Sequence, residues 1–146
     1  MSPESTAGWQ DDRPATSGRY SAIVRMMHVV LWLLALAVFA QAILAGLFLD
    51  GGDSWRDWHA INGMLVLLLA LTQALLAVLV WRGGRAPGWL PIASLGLLVA
   101  LLVQNVMGMT SQVAVHVPLG LAIFGLIATL LVRARILTRP TIHPAS

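Results

Sequence analysis

The stretch SWRDWHAINGMLVLLLALTQALLAVLVW, residues 54–81, decides the fold of this chain. From His59 to Trp81 it carries no charged side chain, and this run is longer than the roughly 20 apolar residues that an α-helix needs to cross a membrane. The run stops at RGGRAPG, residues 82–88, whose composition is typical of a turn. The stretch therefore predicts a transmembrane helix over about residues 55–81.

Three further apolar runs are also long enough to cross a membrane. All four runs together predict helices over about residues 21–49, 55–81, 88–109 and 112–137. They indicate an all-α membrane protein, a four-transmembrane-helix bundle that occupies residues 19–139. The first run also has the features of a signal peptide, with Ala40-Gln41-Ala42 as a small-x-small site. A later internal segment with the same pattern favours a membrane helix instead.

The composition supports a membrane protein and excludes several kinds of site. The 146 residues are 58% hydrophobic and 10% charged, whereas soluble domains are about a quarter charged. The absence of Cys excludes disulfides, thiolate metal sites and iron–sulfur clusters. The net charge of +3 is too small, and too closely tied to helix ends, to indicate nucleic-acid binding. The polar ends, residues 1–18 and 140–146, are predicted to be tails, the first of them disordered.

The positions of the arginines predict the orientation of the helices. Arginines lie before the first helix, between helices 2 and 3, and after helix 4, whereas the two other loops hold only Arg56. By the positive-inside rule, both termini and the middle loop face the cytoplasm. Trp55, Trp58, Trp81 and Trp89 fall at predicted helix ends, as is typical of membrane interfaces. The sequence thus predicts a multi-pass protein of the cytoplasmic membrane with the lipid bilayer as its surroundings.

The pattern Ser-x4-His-x3-Gly occurs twice, at residues 54–63 and 111–120, and each copy opens an apolar run. The chain therefore reads as two copies of one helical hairpin, related by a pseudo-two-fold axis along the membrane normal. If each serine region caps its helix, His59 and His116 both lie about 7 Å into a helix. Such an axis places the two histidines at one depth, on opposite sides of the bundle centre.

Each hairpin also carries one glutamine in its first helix, Gln41 or Gln104. An amide inside a membrane must form hydrogen bonds within the protein. The predicted partners are the other glutamine, a histidine Nδ1 atom or the edge of a cofactor. Both glutamines lie on four-residue stripes of small residues that allow close helix packing, namely Ala37, Ala45, Gly96, Ala100 and Gly108.

Two histidines at one depth across a central axis fit the axial ligation of one haem b. His59 and His116 are the predicted metal ligands, and Gly63 and Gly120, one turn along, leave space beside a flat macrocycle. Gln41 and Gln104 are predicted to contact the same cofactor. Arg56 is predicted to pair either with a haem propionate or with a nearby aspartate.

Other readings of these residues remain open. Copper is a weaker alternative, because two histidines underfill a tetrahedral site, although Met107 and Met109 offer thioether ligands for Cu(I). His28 is predicted to be an interfacial residue, and with His143 in the tail it does not make a second, inner ligand pair. The histidines at 59 and 116 also fit a simple interfacial role, in which each bonds a carbonyl group or water.

The stretch from about Tyr20 to Arg135 resembles a family of small bacterial four-helix membrane proteins of uncharacterised function. The matching elements are Gln41-x3-Ala-Gly46-Leu, Trp58-His59-x3-Gly63, Gln104-x3-Gly108 and Val115-His116-x-Pro118-Leu-Gly120. The same elements are similar to one half of haem A synthase. That enzyme has two four-helix units with histidines at the outer ends of the second and fourth helices of each unit. The resemblance implies that His59 and His116 form the haem-ligand pair of such a unit.

The chain departs from haem A synthase in ways that limit what the resemblance implies. Arg56 stands where the synthase has a carboxylate three residues before a ligand histidine, and the outer cysteine pair is absent. Only one four-helix unit is present, so the oxygenation chemistry is not carried over. The expected role is electron transfer, haem handling or sensing, with a redox partner or a quinone and a possible homo-oligomer. The alternative is a cofactor-free membrane subunit, assembly factor or small transporter.

Overall fold

The computed structural model describes residues 16–83 and 86–136, and these residues form four α-helices without any strand. The helices are α1 (Thr16–Leu49), α2 (Ser54–Arg82), α3 (Trp89–Met109) and α4 (Val113–Ile136). All four are long and apolar enough to cross a membrane. The predicted all-α fold class and the four-helix bundle are therefore confirmed.

The helix ends agree with the predicted ones to within one residue, except at the start of α1. This helix begins at Thr16, whereas the prediction began it at residue 21 and assigned residues 1–18 to a tail. The part of α1 that is apolar enough to span a membrane begins at Ala22. An apolar run marks the membrane-spanning part of a helix, and the backbone hydrogen bonds continue past it into polar sequence. Residues 1–15 and 137–146 lie outside the described residues.

The prediction that Ser54 and Ser111 cap α2 and α4 is wrong. Ser54 lies inside α2, and Asp53 occupies the N-cap position without a side-chain cap hydrogen bond. The Thr110 hydroxyl donates back to the Val106 carbonyl oxygen of α3 at 2.8 Å, and Ser111 has a φ of 57°. Backbone hydrogen bonds close both turns instead.

The four helices pack in a ring in which, over the described residues, the backbone of each helix approaches only those of its two neighbours. The contacting pairs are α1 with α2, α2 with α3, α3 with α4, and α1 with α4. Among the described residues, the diagonal pairs α1–α3 and α2–α4 have no backbone contact. The two hairpins thus face each other across a central axis, as the sequence repeat predicts. A side chain on α2 reaches α4 only through the centre of the bundle.

The two ends of the bundle differ in charge. We call the end with Arg25, Arg82, Arg133 and Arg135 the basic end, and the end with Asp50, Asp53 and Asp57 the acidic end. The guanidinium groups of Arg133 and Arg135 lie 5.4 Å from the ring centres of Trp89 and Trp32 respectively. Cation–π contacts of this kind hold charged side chains beside aromatic rings at the membrane interface.

The bundle interior is apolar over most of its length. Fully buried side chains such as Leu31, Leu34, Leu97 and Ile127 form its core, while many large hydrophobic side chains are exposed on the outside. This arrangement suits a protein surrounded by lipid, which is as apolar as the core. Polar side chains are concentrated near the acidic end, where both repeat histidines lie.

The predicted small-residue stripe on α3 does not lie at one interface. Gly108 faces His116, but Gly96 is exposed and an added Cβ there meets no atom within 4 Å. Four residues turn an α-helix by slightly more than one full turn, so a strict four-residue stripe drifts around the helix. Only its Gln104–Gly108 part faces α4.

Candidate functional site

His59 of α2 and His116 of α4 meet at the centre of the bundle. Their ring centres are 6.4 Å apart and the ring planes are inclined by 54°. Since α2 and α4 are diagonal helices without backbone contact, the two rings approach each other across the central axis. The structure therefore brings together the two histidines that the repeat pairs.

Both imidazole rings are oriented by a main-chain carbonyl group of the preceding helix. His59 Nδ1 lies 3.2 Å from the Gln41 carbonyl oxygen, and His116 Nδ1 lies 2.9 Å from the Gln104 carbonyl oxygen. A carbonyl oxygen only accepts hydrogen bonds, so each Nδ1 carries a proton and donates it. In a neutral ring this leaves the Nε2 lone pair free to bind a metal.

In the first hairpin, the Gln41 side chain is hydrogen-bonded at both of its polar atoms. Its Nε2 donates to the His59 carbonyl oxygen at 2.8 Å, and its Oε1 accepts from Asn62 Nδ2 at 2.5 Å. Asn62 Nδ2 also approaches the Ala37 carbonyl oxygen at 2.8 Å. The predicted internal bonding of Gln41 is thus present, but its partners are a main-chain carbonyl group and an asparagine.

In the second hairpin, the Gln104 side chain lacks the equivalent bond. Its Oε1 is buried and has no hydrogen-bond partner. The residue three positions after His116 is Leu119, whereas Asn62 holds that position after His59. The donor that satisfies Gln41 is therefore replaced by an apolar side chain. The repeat keeps the histidine and the glutamine but changes the partner of the glutamine.

The repeat glycines make room for amide side chains in this structure. A Cβ added at Gly63 would lie 3.3 Å from both Asn105 Oδ1 and Gln41 Nε2, and one at Gly120 would lie 2.9 Å from Gln104 Nε2. These glycines were predicted to leave space beside a macrocycle. Here the same space holds the ends of flexible amide side chains one turn along from the histidines.

Arg56 lies at the acidic end, close to the histidine pair. Its guanidinium group stands 5.0 Å from the centre of the Phe48 ring, and Phe48 in turn lies 6.3 Å from the His59 ring. Among the described residues Arg56 forms no ion pair with an aspartate, and its pairing with a haem propionate stays a prediction. The Arg56 side chain remains exposed, so its charge is available to an anionic group beside His59.

Two other candidate ligands, Met109 and His28, do not join the histidine pair. Met109 is 86% exposed, and among the described residues no group of three or more His, Cys, Asp or Glu side chains forms a metal-binding cluster. His28 Nδ1 bonds the Val24 carbonyl oxygen at 2.9 Å within α1, and its buried Nε2 has no partner. His143 lies outside the described residues.

Sequence reasoning missed the two asparagines of the site. Asn62 bonds Gln41, while Asn105 bonds the Leu101 carbonyl oxygen at 2.9 Å and directs its Oδ1 toward Gly63. A signal was present, because an asparagine in an apolar transmembrane run requires an internal partner. Each asparagine occurs in one hairpin and has an apolar residue at the equivalent position of the other, so an argument based on repetition did not find them.

Comparisons with known proteins returned no match to a family model, a curated protein or a solved structure.

Proposed function

We propose that this chain is an integral membrane haem protein, similar to a b-type cytochrome, in which His59 and His116 ligate one haem b. The observation that carries the proposal is the orientation and the spacing of the two imidazole rings. Each Nδ1 is bonded to a main-chain carbonyl group, and the ring centres lie 6.4 Å apart across the bundle axis. Metal-binding histidines almost always donate their second N–H in this way.

The spacing of the rings fits one metal ion between them. A metal–imidazole bond is about 2.0–2.1 Å long, and with the size of the two rings added, two such bonds put the ring centres roughly 6 Å apart. The ring planes are inclined by 54°, so the two imidazoles do not stack on each other and each could bind the metal through Nε2. The buried, unbonded Gln104 Oε1 offers a further polar contact on the His116 side.

The residues around the site have distinct roles in this proposal. The Gln41 and Gln104 carbonyl groups fix the orientation of the two rings and increase the basicity of Nε2. Arg56, held beside Phe48, supplies a positive charge near the acidic end for a propionate group. With His59 and His116 as its two protein ligands, a bound haem would supply one-electron chemistry.

The charge distribution supports a particular orientation in the membrane. The four arginines of the basic end favour the cytoplasmic side, so both termini face the cytoplasm and the histidine pair lies near the outer face. A site near one face does not by itself carry electrons across the roughly 30 Å hydrocarbon core. The proposed role is therefore electron exchange with a partner or a quinone at that face, or haem handling or sensing.

A cofactor-free membrane subunit is the second candidate function. It is favoured by the first hairpin, where the Gln41 side chain is fully hydrogen-bonded within the protein. In that case, the amides and histidines would hold the bundle together without a ligand. Copper is a third candidate, with the same two histidines and Met107 as the available ligands.

A difference spectrum of the purified protein tests the proposal. The protein is purified in detergent, supplied with haem, and recorded as reduced minus oxidised. We expect a Soret shift and a sharp α-band, and we expect either His59→Ala or His116→Ala to abolish the six-coordinate spectrum. His28→Ala is the matched control, since it removes a part-buried histidine far from the pair.

Three results would contradict this proposal. Failure of the wild-type protein to take up haem would favour the cofactor-free protein. Stoichiometric copper binding that is lost in the same two variants would favour the copper site. A haem spectrum that neither variant changes would refute the ligand assignment.

A further inference from the structure

Gln73 and Ser94 are the two buried polar side chains in the core of the bundle, among the described residues. Both are 0% exposed. Neither polar atom of the Gln73 amide has a hydrogen-bond partner, and the Ser94 hydroxyl has none either. Unsatisfied polar groups inside a membrane protein are costly, so such groups normally bond to the protein or to bound water.

The two side chains lie at the same level on neighbouring helices. Gly63 of α2 faces Asn105 of α3 near the acidic end. Gln73 is ten residues from Gly63 and Ser94 is eleven residues from Asn105, both toward the basic end. At 1.5 Å per residue, both lie about 15 Å from that contact.

Both side chains also face the interior of the bundle. Gln73 lies on a stripe of seven-residue spacing with His59, Val66 and Val80, and Val66 and Val80 are buried. Since seven residues are two helical turns, Gln73 faces the same way as His59, toward the axis. Ser94 has the same relation to Leu101, which is buried as well. The amide and the hydroxyl therefore project into one region of the interior.

The Ser94 hydroxyl makes no hydrogen bond to a carbonyl oxygen of its own helix. Thr72, Thr110 and Thr129 each donate to the carbonyl oxygen four residues earlier, at 2.8–2.9 Å. This is the usual way for a hydroxyl group to be satisfied in an apolar helix. Ser94 makes no such bond, which leaves its hydroxyl free for a partner in the interior.

The polar pair is a departure from the internal repeat. By the register of the two hairpins, Leu130 stands at the position of Gln73 and Leu31 at the position of Ser94. Both leucines are buried in the core. Apolar residues therefore fit these positions of the fold. Packing alone does not explain why an amide stands at residue 73 and a hydroxyl at residue 94.

We propose that Gln73 and Ser94 form an interior water site, in which bound water bridges the amide and the hydroxyl. The amide requires both a donor and an acceptor, and the hydroxyl can supply either. Water is the smallest ligand that meets both needs, and it typically forms about three hydrogen bonds when buried.

The water site is enclosed by apolar layers. Val66 and Leu101 lie toward the acidic end, and Val80 and Leu90 lie toward the basic end, all of them buried. Gln73 is fourteen residues from His59, which corresponds to about 21 Å along α2. The water is therefore resident and separate from the histidine site, and it does not form a continuous path across the membrane.

NMR of the full chain in detergent micelles tests the water site. With glutamine labelled by ¹⁵N, the Gln73 side-chain signals are assigned by their loss in Gln73→Leu. We expect cross-peaks between these amide protons and long-lived water, and we expect Ser94→Ala to weaken or abolish them. Absence of the cross-peaks in the wild-type protein would overturn the proposal. If Ser94→Ala leaves the cross-peaks unchanged, the water does not bridge the two side chains and the proposal is wrong.

Thermal unfolding supplies a second measurement that is independent of the assignment. Gln73→Leu reproduces the residue found at the equivalent position of the other hairpin, so the variant is expected to fold. A bridging water couples the two positions, and we expect the Gln73→Leu/Ser94→Ala double variant to melt no lower than Gln73→Leu alone. Additive losses in melting temperature would show that the side chains do not share a ligand.

Discussion

The two helical hairpins carry the same histidine, glutamine and glycine, but they satisfy the glutamine differently. In the α1–α2 hairpin, Gln41 bonds the His59 carbonyl oxygen and accepts a bond from Asn62. In the α3–α4 hairpin, the Gln104 Oε1 is buried without a partner. The main-chain contact that orients each imidazole is the same in both copies.

This difference separates what the repeat preserves from what it varies. The hydrogen bond from histidine Nδ1 goes to a main-chain carbonyl oxygen. It therefore requires only that the histidine and residue 41 or 104 lie at the same depth in the bundle. The bond to glutamine Oε1 requires a donor three residues after the histidine, and Leu119 does not supply one. The first hairpin thus fixes its glutamine through a side-chain hydrogen bond, whereas the second leaves the Gln104 Oε1 acceptor without a partner.

The largest effect is expected from making the first hairpin resemble the second. Asn62→Leu removes the donor to Gln41 Oε1 and leaves that atom buried without a partner. We expect a loss of roughly 1–3 kcal/mol in the free energy of unfolding, measured by denaturant titration in mixed micelles. Met64→Leu, at a position that is 72% exposed, is the neutral control. A loss no larger than that of the control would mean that Gln41 is not held by this bond.

A smaller effect is expected from filling the glycine positions. Gly63→Ala presses on Gln41, which is bonded at both ends, and we expect a loss of about 1 kcal/mol in the free energy of unfolding. Gly120→Ala makes the closer approach, 2.9 Å to Gln104 Nε2, but that side chain has no bond at Oε1 and can swing away. We therefore expect Gly120→Ala to be nearly neutral in the same measurement.

Gly125, which also lies in α4, serves as the control for Gly63 and Gly120. An added Cβ at Gly125 meets no atom within 4 Å, so Gly125→Ala reports helix propensity alone, a gain of up to about 1 kcal/mol. The change in the free energy of unfolding for Gly125→Ala is subtracted from the changes for the other two variants. If Gly120→Ala is then more destabilising than Gly63→Ala, the expected difference between the hairpins is contradicted.

The smallest effect is expected from making the second hairpin resemble the first. Leu119→Asn places a donor where Asn62 stands in the other copy, within reach of the Gln104 amide. Hydrogen bonds between transmembrane helices contribute about 0.6 kcal/mol on average, and we expect a gain of that size relative to Leu119→Ala. Comparison with the alanine variant removes the loss of leucine packing from the result. If asparagine is no more stable than alanine at this position, Gln104 Oε1 does not face residue 119.

The membrane-spanning helices and the pairing of the histidines were predictable from the sequence. Apolar runs of membrane length are a local property, and three of the four helices agree with the predicted bounds to within one residue. The spacing of His59 and His116 in two copies of one pattern was enough to predict a meeting across the axis. The start of α1 and the N-caps were not predictable in this way, because polar residues next to a membrane helix are compatible with either helix or loop.

The sequence by itself determined that four helices form two similar hairpins with one histidine in each, because periodicity and repetition need no knowledge of packing. The tertiary structure alone decided which atoms those histidines and glutamines contact. It placed main-chain carbonyl groups at both Nδ1 atoms, left Gln104 Oε1 unbonded, and buried Gln73 with Ser94. These outcomes depend on the rotation of each helix about its axis and on the neighbour it faces, which residue spacing within one helix does not specify.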